Sequence, residues 1–310
     1  MKSIILSCAG TTLSDAEKAL FKANDPLGFI LFKRNIESPD QLRTLNASLR
    51  ESVGRDCPIL IDQEGGRVQR MNTPHWQQYP SAQECKDVPK IAAAIAADLV
   101  DVGIDVNCIP VLDILFPETH QAIGNRAYGN NADEVFEKGK QAILAHLAAG
   151  ITPVMKHVPG QGRAALDSHY DLPRVEAPLE ALRAEDFVPF ARLSEEPFAD
   201  QIWGMVSHIL YTAIDPDRPA SVSAKVIDII RKELHFDGLL LSDDVSMGAL
   251  ATFGPPEDRC KAMLEAGCDI ALYCAGKLEE MQKIAESAPR IRDESYDRYE
   301  RSRVRRRPAA

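Results

Sequence analysis

The seven cysteines of this 310-residue chain form no C-x-x-C pair and have no histidine neighbours at metal-ligand spacing. Neither a disulfide framework nor a zinc site is indicated, and a reducing cytoplasm is the compartment that fits. No window approaches the roughly 20 apolar residues of a membrane span. The N-terminal MKSIILSCAG has an apolar run of only Ile4, Ile5 and Leu6, shorter than the about 7–15 residues of a secretory leader, and reads as a first strand. Positive charge is in deficit, with 36 Lys and Arg against 46 Asp and Glu, a net charge of −10 and a pI near 5.3. That balance argues against nucleic acid or an anionic membrane as partner. The basic exception, Arg301, Arg303, Arg305, Arg306 and Arg307, reads as a solvated, frayed tail. No Pro/Ser-rich linker or low-complexity segment divides the chain, so one domain is expected, acting as a monomer.

What is present is a rhythm. Eight short β-branched or leucine-rich runs recur: Ser3 to Cys8, Gly28 to Phe32, Pro58 to Asp62, Asp105 to Pro110, Thr152 to His157, Trp203 to His208, Gly238 to Asp243 and Asp269 to Cys274. Each is followed by a polar turn and a longer stretch with helical spacing of apolar residues. Several runs are apolar on both faces, as parallel strands are when helices cover one side and packed side chains the other. Eight such repeats in about 280 residues predict a single-domain α/β fold, a closed (β/α)8 barrel over residues 1–290 with a charged extension at 291–310. The competing open, doubly wound sheet would want a G-x-G-x-x-G after the first strand, and none is there.

In such barrels the chemistry sits where strands end. Strand three runs into IDQEGGRVQRM, strand four into VLD and then GNRAYG, strand five into MKHVPGQGRAALDSHYDLP, strand six into MVSHI and strand seven into LLLSDDVSM. Asp243, at the end of a leucine run, is placed to attack an anomeric carbon; equally, Asp243 or Asp244 caps the following segment, Asp244 being the better cap. The long polar loop from Pro159 to Pro173 carries Asp167 and His169. An Asp two residues from a His can fix its tautomer and leave the other ring nitrogen for acid and base work. The same pattern also occurs on surfaces with no role. Asp62, Arg70, Arg126, Lys156 and His157 offer paired acceptors or donors suited to vicinal diols, or else a salt-bridge ring closing the barrel end. His208 and Asp113 are weaker rim candidates.

These motifs, in this order from about Gly28 to Tyr273, resemble the single-domain bacterial β-N-acetylhexosaminidases of glycoside hydrolase family 3. IDQEGGRVQR is similar to that family's substrate-binding stretch and GNRAYG to its arginine-bearing loop. KHVPGQGRAALDSH resembles its lysine-histidine motif and catalytic loop, and DRPASVS with DGLLLSDDVSM the segment ending at its nucleophile. The resemblance implies Asp243 as nucleophile, His169 as acid/base with Asp167 orienting it, and Asp62, Arg70, Arg126, Lys156 and His157 as ligands of the terminal sugar. It implies retaining hydrolysis of terminal β-linked N-acetylglucosamine, from 1,6-anhydro-muropeptides in peptidoglycan recycling, with no metal or organic cofactor.

The chain departs from the family in that loop. Relatives read K-H-F-P-G-H-G-D-T, where this sequence has Val158, Gln161, Arg163 and Ala164. The loss of a histidine and an acid predicts altered loop dynamics or leaving-group preference, with catalysis retained. Three other functions stay open: a phosphorylase delivering phosphate to the same intermediate, a β-glucosidase or xylosidase of the superfamily, and a non-catalytic muropeptide-binding sensor.

Overall fold

The computed structural model describes residues 1–168 and 171–303. Eight parallel strands close a barrel in chain order: β1 (Lys2–Leu6), β2 (Pro26–Leu31), β3 (Ile59–Ile61), β4 (Val106–Asn107), β5 (Thr152–Val158), β6 (Trp203–Val206), β7 (Leu239–Asp244) and β8 (Ile270–Leu272), with β8 paired to β1. Each overlaps one of the eight predicted runs, β1, β2, β5 and β7 extending beyond them by one or two residues.

Side-chain alternation divides these strands between two apolar layers. Ile4, Leu6, Phe29, Leu31, Ile59, Ile61 and Leu240 pack outward beneath the helices. Ile5, Ile30, Leu60, Val154, Trp203, Met205, Leu239, Leu241 and Ile270 fill the barrel. The phase of each strand therefore decides which residue beyond its end faces the barrel mouth.

The covering helices begin and end where local chemistry dictates. Asn131 caps Ala132–Ala149 by accepting from the Glu134 amide, and Gly150 ends it at φ +85°, in the left-handed region open to glycine. The helix predicted from Leu179 to Leu193 is a composite of Leu179–Ala181, a wider π turn at Leu182–Asp186, and Val188–Ser194. Among the described residues no helix is long and apolar enough to cross a membrane.

The C-terminal segment differs from the frayed tail expected of it. Asp293–Ser302 is a helix lying across the N-terminal end of the barrel. Its Tyr299 is buried against Trp203, with ring centroids 6.3 Å apart, and the Trp203 indole N–H donates to Ser302 Oγ at 2.7 Å. Arg298 reaches Asp237 and Asp269 at 2.9 and 3.0 Å, and Arg301 pairs with Asp237 at 2.6 Å. Ion pairs and one aromatic anchor hold this helix, so a reading weighted on apolar periodicity passes over it. Arg305, Arg306 and Arg307 lie outside the described residues.

Candidate functional site

At the C-terminal end of the barrel opens a cavity of about 330 Å³. Asp243 shares its strand face with Leu239 and Leu241, Asp62 follows Leu60, and Lys156 follows Val154, so all three continue inward-facing rows to the mouth. Phe32, Met205 and Leu272 line the cavity by the same rule. The β5–β6 register shifts between Lys156 and Val158, and His157 lines the cavity as well.

A small hairpin, Gln63–Gly65 with Val68–Gln69, aims the charges of strand three. Gly65 and Gly66 turn it at φ +93° and +58°, and a Cβ on Gly65 would collide with the Pro80 carbonyl oxygen. Gln63, fully buried, locks it: Oε1 accepts from the amides of Arg70 and Met71 at 2.8 and 3.0 Å, while its own amide donates to Asn107 Oδ1 at 3.0 Å. Asn107 Nδ2 in turn donates to His146 Nε2 at 3.0 Å.

The result is a ring of alternating charge. Lys156 Nζ sits 2.6 Å from Glu64 Oε1 and 2.8 Å from Asp62 Oδ1, Arg126 holds Glu64 through two nitrogens at 2.8 and 2.9 Å, and Arg70 reaches Asp62 at 3.3 Å. Burial alone would raise both carboxyls. Lys156 and Arg70 outweigh it at Asp62, which lies well below the usual carboxylate range, and Arg126 and Lys156 hold Glu64 at about 2. Burial would likewise depress the Lys156 ammonium, but the two carboxylates raise it above its ordinary value. The ring is thus fully charged at neutral pH, presenting fixed donors and acceptors to a polyhydroxyl ligand. Glu64 is absent from the sequence-based candidates; its signal was its position two residues after Asp62 in the same motif.

His157 Nδ1 lies 2.6 Å from Asp113 Oδ2. Asp113 is wholly buried and also accepts the Gln161 amide at 2.6 Å, so a carboxylate that can only accept places the proton on Nδ1 and leaves Nε2 as the other ring contact. The weak candidate Asp113 therefore acts behind His157. His208 is spent structurally: Nδ1 pairs with Ser221 Oγ at 2.8 Å, Nε2 donates to the Asp244 carbonyl at 2.9 Å, and burial pushes its pKa down.

The neighbouring acids separate cleanly. Asp244 accepts from the Ser246 amide and hydroxyl at 3.0 and 2.5 Å and from the Cys274 amide at 3.1 Å, anchoring a turn; no helix starts there for it to cap. Asp243 Oδ1 accepts the Asp244 amide at 2.8 Å and its carboxylate lines the cavity.

Asp167 and Ser168 reach the same cavity from the loop after β5. His169 lies outside the described residues. The loop's first half is fixed: Tyr211 donates to the Gly160 carbonyl at 2.7 Å, Thr119 to that of Gly162 at 2.6 Å, and Arg163 stacks 4.0 Å from the Phe116 ring while pairing with Asp186 at 2.8 Å and with Glu185. Arg163, one of the four residues that break the family pattern, is thereby an anchor.

Of the sequence-predicted residues, Asp62, Arg70, Arg126, Lys156, His157, Asp167 and Asp243 all line this one cavity. Residues 4–302 match the Glycosyl hydrolase family 3 N terminal domain. A beta-hexosaminidase of Pseudomonas aeruginosa is 35% identical over 280 residues, covering 88% of this chain and 82% of that protein. One from Idiomarina loihiensis is 35% identical over 312 residues, covering 97% and 92%. Among solved structures, NagZ from Neisseria gonorrhoeae in complex with N-trifluoroacetyl-D-glucosamine superposes with a TM-score of 0.87 at 27% identity, over 97% of this chain and 90% of that one. A family 3 beta-N-acetylglucosaminidase from Paenibacillus gives 0.88 at 28% identity over 97% of this chain, which spans 61% of that protein. The chain belongs to glycosyl hydrolase family 3 and is a glycoside hydrolase built on that family's N-terminal barrel.

Proposed function

We propose that the enzyme is a retaining exo-β-N-acetylglucosaminidase that cuts a terminal β-linked N-acetylglucosamine, in the cytoplasm, from 1,6-anhydro-muropeptides released during peptidoglycan recycling. The observation carrying this reading is the convergence, in one cavity, of Asp62, Lys156 and Arg126, the two cations bridged by Glu64, with the Asp243 carboxylate. At about 330 Å³ the cavity is at the small end of ligand sites, which suits a single terminal sugar. The names of the relatives and the sugar analogue bound to the Neisseria structure support the choice of hexosamine.

In this reading the charged ring and His157 hold the sugar hydroxyls. Asp243 attacks C1 while His169, oriented by Asp167, gives its proton to the departing oxygen. A glycosyl ester on Asp243 results. Water then attacks C1, His169 takes its proton, the ester bond breaks, and N-acetylglucosamine leaves with its β configuration.

The test is product analysis by NMR. The enzyme is given p-nitrophenyl β-N-acetylglucosaminide and the N-acetylglucosaminyl-1,6-anhydro-N-acetylmuramic acid disaccharide, each with and without phosphate. Free N-acetylglucosamine appearing first as the β anomer, at a rate indifferent to phosphate, is the expected result. A phosphate-dependent sugar 1-phosphate would make the enzyme a phosphorylase; binding with no turnover of either compound would make it a sensor.

A further inference from the structure

Arg70 is the least anchored cation of the charged ring. Lys156 meets its carboxylates at 2.6 and 2.8 Å and Arg126 at 2.8 and 2.9 Å, whereas the Arg70 side chain reaches Asp62 through Nη2 alone at 3.3 Å. Its buried Nε makes no hydrogen bond among the described residues. The other contact of Arg70 is aromatic: its guanidinium carbon lies 5.4 Å from the centroid of the Phe32 ring, which lines the sugar cavity. A planar guanidinium over a ring is attracted to the ring face and loses freedom to turn. The orientation of Arg70 therefore depends on where Phe32 is held.

Phe32 is fixed from behind. It follows β2 and enters a tight turn, Lys33–Asn35, in which the buried Asn35 accepts the Phe32 amide at 2.9 Å and donates to the carbonyls of Cys8 and Gly10 at 3.0 and 2.9 Å. A second guanidinium, that of Arg34, lies 4.9 Å from the same ring. Although Arg34 is exposed, its Nε donates to the Cys8 carbonyl at 3.2 Å, and its Nη2 to Ser7 Oγ at 2.6 Å and the Cys274 carbonyl at 2.5 Å. Those partners lie just past the ends of β1 and β8, so one side chain on the turn after β2 spans the seam where the barrel closes. Gly276, at φ +68°, makes the room: a Cβ there would stand 2.9 Å from Arg34 Nη2 and 2.6 Å from the Cys8 carbonyl oxygen. A guanidinium tied to three acceptors is a fixed surface for the ring that packs on it.

We propose that Arg34 is a positioning residue of the glycosidase: by fixing the Phe32 ring it sets the orientation in which the Arg70 guanidinium meets the terminal sugar. This rests on the reading that the cavity holds that sugar, and it adds to the site a residue that does not itself line the cavity.

A residue that only braced the barrel seam would act independently of Arg70, so the test is a coupling measurement. The kcat/KM and KM for p-nitrophenyl β-N-acetylglucosaminide are measured for Arg34→Met and Phe32→Leu, each alone and combined with Arg70→Met. Arg70→Met by itself is expected to lower kcat/KM about 10–100-fold, through loss of a charged hydrogen-bond donor to the sugar. Alone, Arg34→Met is expected to lower kcat/KM about fivefold and Phe32→Leu about tenfold, mostly through KM. Combined with Arg70→Met, each effect is expected to shrink below about twofold, because the group being oriented is gone. Phe32→Tyr keeps the ring and is expected to recover most of the Phe32→Leu loss. Arg34→Lys keeps the charge without the planar fork; it is expected to lower kcat/KM about threefold and takes the place of Arg34→Met if that variant does not fold. Equal losses with and without Arg70 would make Arg34 a brace of the seam alone and Phe32 a direct sugar contact, overturning the proposal. A wild-type KM in the Arg34 variants would overturn it as well. Absence of hydrolysis by the wild-type enzyme would instead overturn the reading on which it rests.

Discussion

Arg126 grips Glu64 through two nitrogens, Nε to Oε2 at 2.8 Å and Nη2 to Oε1 at 2.9 Å, and neither partner is more than marginally exposed. The same Glu64 oxygen that meets Nη2 also receives Lys156 at 2.6 Å. Two buried cations therefore share this one carboxylate. Removing one partner of a buried ion pair strands the other charge, a loss of about 3–5 kcal/mol. Glu64→Gln is expected to lower the urea-unfolding free energy by that order and to raise KM for the nitrophenyl glycoside, because Arg126 and Lys156 lose their common anchor. Unchanged stability in the variant would show that the ring is solvated in a way the geometry does not allow.

The anchor formed by Arg163 predicts how the catalytic loop responds to substitution. Arg163→Ala leaves the buried Asp186, whose pKa burial has already lifted to about 6, without its cation. Leaving a buried charged acceptor unsatisfied costs about 1–3 kcal/mol. The loop from Gly160 to Ser168 then loses a fixed end, so kcat is expected to fall several-fold more than KM rises. Gln161→His, restoring the residue relatives carry, is expected to change the rate by less than about tenfold, because Asp113 holds the backbone amide at this position whatever its side chain. Steady-state kinetics of the two variants on one substrate check both statements.

Acid stability has an identifiable contributor. His146 is fully buried, accepts from Asn107 at Nε2 and donates from Nδ1 to the Ala142 carbonyl, and burial lowers its pKa from 6.5 to about 4. Its folded pKa is depressed, so the unfolded chain takes up the proton first as pH falls below about 6.5. The stability it contributes is intact above that pH and drains away between about 6.5 and 4, reaching a loss of roughly 2 kcal/mol by pH 5. Urea unfolding at pH 7.5 and 5.0 should show this increment in wild type and lack it in His146→Gln. Through Asn107 and Gln63 the same histidine supports the hairpin bearing Glu64, so KM is expected to stay flat down to about pH 5 and to rise only as pH approaches about 4, where the folded protein takes up this proton.

The barrel was legible because its strands announce themselves twice, as apolar runs and as runs at βα spacing. All eight overlap the predicted segments, with ends that differ by a residue or two. Alternation then carries Asp62, Lys156 and Asp243 to the mouth without any knowledge of homologues. Glu64 escaped because its importance lies in a hairpin of two and three residues, too short for any periodicity, whose geometry depends on a buried Gln63. The distinction between Asp243 and Asp244 escaped as well. Both are acids at a strand end, and only the Ser246 and Cys274 amides show which one is consumed by a turn. The helix at Asp293–Ser302 has one buried aromatic ring in a field of charge, a pattern that from sequence alone reads as a solvated tail.

The central claim, that Asp243 forms the bond to C1, is tested most directly by replacing it with glycine and supplying azide. The Asp243→Gly enzyme is incubated with p-nitrophenyl β-N-acetylglucosaminide with and without sodium azide, and the sugar product is identified by NMR. The account predicts turnover lower by on the order of 10⁴-fold or more without azide. With azide, turnover returns and the product is the α-glycosyl azide, because the small nucleophile enters from the face the carboxylate has vacated. Hydrolysis near the wild-type rate in the azide-free variant would contradict the claim.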